Sequence, residues 1–71
     1  MNAETLRELL RRQPFEPFEI RMTNGDIHTV RHPEVAMIVG GRAVVGYPET
    51  ERIAILSLLH VAAIEMLRQA A

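Results

Sequence analysis

Three histidines, eight arginines and nine carboxylates are the groups of this 71-residue chain that could do chemistry; cysteine and lysine are absent. Imidazole can hold a metal or move a proton near neutral pH. His28 and His32, with Glu34 two residues on, come nearest to a ligand set. In an extended chain, however, residues four apart are separated by roughly 13 Å. That is too far to share one ion, so the spacing is not that of a zinc site. The expected role of His32 and Glu34 is instead to hydrogen-bond where Pro33 interrupts a strand. Nucleophilic catalysis has little to stand on. Ser57 is the only serine, and the glycines form a turn pair at Gly40-Gly41, not a phosphate-cradling loop that opens a helix. The reading therefore contains no catalytic residue, no metal and no cofactor, and the chain is not expected to be an enzyme. Binding remains. Arg21 beside His28 across a hairpin, with Arg42, Arg52 and His60, forms the candidate binding surface.

These side chains must be positioned by short elements. Residues 3–12 read as an amphipathic helix, with Asn2 as N-cap and Leu6, Leu9 and Leu10 on one face. Glu8 is within reach of Arg11 and Arg12 on the other face. Pro14 ends the helix. Phe18, Ile20 and Met22 then alternate with Glu19, Arg21 and Thr23, the period of a strand with one buried face. Asn24-Gly25 suits a two-residue type I′ turn. With that turn, Met22 faces Ile27 and Arg21 faces His28, which leaves Val30 on the polar face unless the strand bulges. Residues 35–47 read as a second hairpin around Gly40-Gly41, apolar on both faces. Its inner face is expected to pack with Phe18, Ile20 and Ile55. Its outer face then needs cover from the helix or from a second subunit.

The segment from Arg52 to the end is open between two readings. Leu56, Leu59, His60, Ala63, Ile64 and Leu67 fit a helical stripe. The other reading is a strand through Ile53 and Ile55, a tight turn at residues 57–60, and a closing strand over 61–66. Chain topology favours the second, because a helix would leave strand edges unclosed.

One domain of this size, without a disulfide, sits near the lower limit for burying a sufficient core. A dense aliphatic core, a partner subunit or both are expected. A formal net charge of −1 argues against a strong field for nucleic acid or an anionic membrane. The N-terminus does not read as a signal peptide, and no apolar run reaches membrane-span length. The expected location is cytoplasmic, with no membrane partner.

The order helix, bent hairpin, apolar hairpin, tight turn and last strand resembles the SH3-like and Sm-like small barrels. The residues that carry the likeness are Asn24-Gly25-Asp26 at the first turn and the 58–65 stretch at the closing one. More narrowly, Pro14-Phe15-Glu16-Pro17-Phe18-Glu19-Ile20, Asn24-Gly25 and Val30-Arg31-His32-Pro33-Glu34 are similar to the core of a group of short bacterial proteins. That resemblance implies a fold and no activity. A thinner likeness is to the Hfq family of bacterial Sm-like RNA chaperones, whose last strand is entered through a Lys-His pair. His60 takes the comparable place, but Leu59 stands where the lysine would be. The expected fold is mainly β with an N-terminal helix, a five-stranded SH3-like or Sm-like barrel over residues 17–67. The expected function is a non-catalytic, self-associating interaction module, a dimer or ring, whose protein partner is unknown. The alternative is a single-stranded RNA binder using Arg21, Arg42, Arg52 and His60.

Overall fold

The computed structural model describes residues 1–67. Helix α1 spans Ala3–Arg11, and the Asn2 side chain accepts from the Glu4 amide at 2.8 Å, satisfying one of the free donors at the helix start. Leu6 is fully buried, and Leu9 and Leu10 pack beside it. On the outer face the ion pairs differ from expectation. Glu4, not Glu8, lies near Arg7 and Arg11, at 3.7 and 3.6 Å, while Arg12 reaches forward to Glu16.

Six strands follow: β1 (Phe18–Met22), β2 (Ile27–Val30), β3 (Ala36–Val39), β4 (Arg42–Tyr47), β5 (Arg52–Ser57) and β6 (Val61–Met66). They form two antiparallel three-stranded sheets, β2-β1-β6 and β3-β4-β5. The chain is thus mainly β with an N-terminal helix, but it is not the expected five-stranded closed barrel. Two short 3₁₀ turns explain the difference. Pro33–Val35 separates β2 from β3, and Leu58–His60 separates β5 from β6. Each turn redirects the chain from one sheet to the other. At the first, the anchor is main-chain: His32 O accepts from Val35 N at 3.3 Å, and the His32 side chain caps nothing. The expected side-chain role of His32 is not what holds this corner.

The first hairpin corrects the expected register. Gly25 N–H donates to Met22 O at 3.0 Å and Met22 N–H to Asp26 O at 2.8 Å, so the loop has three residues, not two. Only Gly25 takes a positive φ there, +97°, as in a turn followed by a bulge residue. The Asn24 carboxamide oxygen accepts from the Asp26 amide at 2.9 Å, stabilising the loop locally. The extra residue shifts β2 by one position. Phe18 now faces Val30, Ile20 faces His28, and Arg21 faces Ile27. A one-residue shift exchanges the two faces of a strand. Val30 consequently lies in the core with no exposure, and it needs no bulge to get there.

The C-terminal ambiguity resolves as 3₁₀ turn plus strand through Met66, with residues 68–71, on which the helical alternative also drew, outside the described part. Strand β6 lies beside β1 with a register break between Arg21 and Met22, where Val61 rather than Ala62 faces Met22. That bulge lets Val61 and Ile64 both turn toward the core despite a spacing of three. Of the residues that fit the helical stripe, Leu56 is buried and Ile64 packs against the core, whereas Leu59 is 86% exposed. The core comprises Leu6, Phe18, Ile20, Val30, Ala43, Val45, Leu56 and Leu58.

The β4–β5 loop ends on Glu51 with φ of +55°, a left-handed conformation that costs an L-residue about 1–2 kcal/mol. Replacing Glu51 by glycine removes that strain and adds some unfolded-state entropy. The expected net gain is about 0.5–1 kcal/mol, read as a higher urea midpoint; an unchanged or lower midpoint contradicts the assignment.

Candidate functional site

The two sheets present different outer faces. In β2-β1-β6, Glu19 and Glu65 face each other directly, an arrangement that alone would be repulsive. Arg21 lies between them, 3.1 Å from Glu19 Oε1 and 3.0 Å from Glu65 Oε2. Arg21 is therefore committed to two carboxylates of its own chain, and its Nε is buried without a partner among the described residues. The expected Arg21–His28 pair does not form, because the register shift puts the two on opposite faces of their hairpin.

The outer face of β3-β4-β5 is aliphatic. The ladder sets Met37, Val44 and Ile55 in one row across all three strands. The next rows are Gly46 with Ile53 and Val39 with Arg42. Met37, Val39, Ile53 and Ile55 are exposed by 56, 57, 71 and 68%. Ile55 was expected in the core. The observed register places Leu56 opposite the buried Ala43 and leaves Ile55 opposite the outward Val44. Helix α1 packs against β3 by its leucines but does not cover Met37 or Val39. Because Gly46 has no side chain, a groove of about 430 Å³ opens along this face, walled by Val35, Met37, Val44, Pro48 and Ile53. The protruding Ile53 and Ile55 stand beside it as a ridge.

His28 is engaged elsewhere. Its Nδ1 is 2.6 Å from the Tyr47 hydroxyl, a contact that ties β2 of one sheet to β4 of the other. Burial pushes the Tyr47 phenol above its ordinary value of 10.0, so the hydroxyl keeps its proton. With the ring proton on Nε2 the O–H donates to Nδ1; with it on Nδ1 the hydroxyl oxygen accepts. A raised phenol pKa means that the folded state favours the neutral form. Its contribution to stability is complete below about pH 10 and falls as pH rises through the raised value. Tyr47 is the only tyrosine, so ultraviolet absorbance follows it without interference. The folded protein is expected to ionise at higher pH than the protein in denaturant; coincident curves contradict the burial of the phenol.

The remaining candidates are scattered. Arg42 begins β4 and lies on the aliphatic face's edge; Arg52 begins β5 opposite Tyr47. His60 is exposed in the 3₁₀ turn, and its carbonyl accepts from Thr23 N at 2.8 Å. His28 and Arg52 border one cleft, and His28 and His60 another. No single cavity gathers all five. Sequence reasoning missed Tyr47, the outward Ile53 and the outward Ile55. Tyr47 could have been noticed as the lone tyrosine at a strand end, but its partner is 19 residues away in the chain. Among the described residues no cluster of His, Asp and Glu could hold a metal ion, and no helix is long and apolar enough to cross a membrane. Comparison of the chain with family models, curated proteins and solved structures gave no match.

Proposed function

We propose that the protein is a non-catalytic interaction module, similar to the SH3-like and Sm-like small barrels, that self-associates through the outer face of β3-β4-β5. The observation that carries this reading is the uncovered aliphatic row Met37–Val44–Ile55, extended by Val39 and Ile53. Contiguous apolar surface of this kind marks interaction sites on small domains. Placement of the last strand beside the first supports the small-barrel likeness.

Three features favour a second copy as the occupant. The Ile53–Ile55 ridge lies next to the Gly46 groove, so a two-fold axis seats each ridge in the other copy's groove. Glu34 and Glu51, with Arg52 beside them, leave one end of the groove with a net negative charge, and Arg42 stands at the far end of the sheet, charges that an antiparallel arrangement brings together. A chain of 71 residues without disulfides also gains the burial that its own core lacks. The RNA alternative loses Arg21 to Glu19 and Glu65, and Tyr47, the aromatic side chain beside Arg52, is engaged with His28 and not free to stack on a base.

Dilution tests the reading. Amide signals of Met37, Val44, Ile53 and Ile55 are expected to move together as the protein is diluted, while those of Glu19 and Glu65 stay fixed. Signals independent of concentration oppose it.

A further inference from the structure

Between the outer edge of β2 and the start of β5 lies a cleft of about 650 Å³, lined by Ile27, His28, Tyr47, Thr50, Arg52 and Ile53 with no carboxylate among its walls. The volume falls in the range of small-molecule sites, about 300–1,000 Å³. Arg52 is the direct ladder partner of Tyr47, so guanidinium and phenol start from the same face of the sheet. By alternation that face is continued inward by Ala54 and Leu56, while Arg52 itself, at the strand's start, is exposed and has no ion-pair partner among the described residues. A guanidinium in such a place offers its donor fork to a ligand. The Tyr47 hydroxyl holds His28 Nδ1 at 2.6 Å; in the tautomer with the proton on Nε2, that N–H is left as a second donor. Ile27 and Ile53 supply apolar walls beside these donors, exposed by 47 and 71%.

We infer that this cleft binds a carboxylate bearing a short branched apolar chain, with the carboxylate on Arg52 and His28 and the chain against Ile27 and Ile53. The planar carboxylate matches the guanidinium fork in two parallel hydrogen bonds. A bare inorganic anion satisfies the donors and leaves the isoleucines in water. The same chemistry has two sources, a free branched carboxylic acid and the C-terminus of a peptide ending in an aliphatic residue. The site is formed by one chain and needs no second copy, but it shares Ile53 with the proposed self-association face, so the titration is done at concentrations below those at which dilution shifts appear.

The test is a nuclear magnetic resonance titration of the full chain with isovalerate, with a short peptide ending in a free valine carboxylate, and with the amide of each. Saturable shifts are expected at Ile27, His28, Arg52 and Ile53 with at least one of the two acids, and the acid that binds more tightly identifies the source. The corresponding amide should bind at least about tenfold more weakly, as loss of a charge-assisted pair implies. Arg52→Gln should weaken the acid by a similar factor while the thermal melt is unchanged. Equal binding of acid and amide, non-saturating shifts with both acids, or an Arg52→Gln protein that binds as wild type each overturns the assignment.

Discussion

Replacing Phe18 by alanine is expected to lower the melting temperature by more than about 10 °C, and to bring the chain close to unfolding at room temperature. Phe18 is 1% exposed, faces Val30 on one side and Met66 on the other, and has the Phe15 ring 6.0 Å away. It is the largest fully buried side chain in the molecule's described part. Truncating such a residue typically costs about 3–5 kcal/mol, from lost transfer free energy and from the cavity left behind. A chain of this length has a total stability of only about 4–10 kcal/mol. One kcal/mol moves the midpoint of a small domain by about 4–8 °C, which sets the expected shift. Phe15, half-buried at the edge of the same cluster, should cost clearly less. A Phe18→Ala protein that melts within a few degrees of wild type contradicts the core described above.

Ile55→Lys is expected to leave the monomer folded and to weaken self-association at least about a hundredfold. Ile55 lies in the outward row with Val44 and Met37 and is 68% exposed, so a lysine there meets water in the monomer. Within the proposed interface its ammonium would be buried without a partner, a situation that costs about 3–5 kcal/mol. A two-fold arrangement introduces that charge twice. Lysine placed at Thr29, on the polar outer face opposite Glu19, is the control and should leave association as it was.

The helix and both hairpins are legible in the sequence because their signals are local: an Asn cap, a leucine stripe, period-two alternation, paired glycines. What is not legible depends on single-residue offsets. Asn24-Gly25 serves a two-residue and a three-residue loop equally well, and the choice moves His28 away from Arg21 and Val30 into the core. Leu56, Leu59, His60, Ala63 and Ile64 have a spacing that reads as helix, although the chain there is a strand, a turn and a second strand, and only Leu56 and Ile64 of the five pack in the core. Ile55 and Leu56 are both good core residues by type. Only pairing with β4 decides that Leu56 points in and Ile55 out. Of the candidate binding residues, His28 and Arg52 do meet one cleft, through Tyr47, which no nearby residue in the chain announces. The aliphatic outer face was foreseeable from the loss of alternation over residues 35–45, while its ridge beside Gly46 was not.

Sedimentation across micromolar concentrations, wild type beside Ile55→Lys, tests the central claim most directly. The wild-type species is expected to be heavier than the 8.0 kDa monomer and to dissociate on dilution, with the variant folded and monomeric throughout. A wild-type protein that sediments as a monomer at every concentration would contradict it.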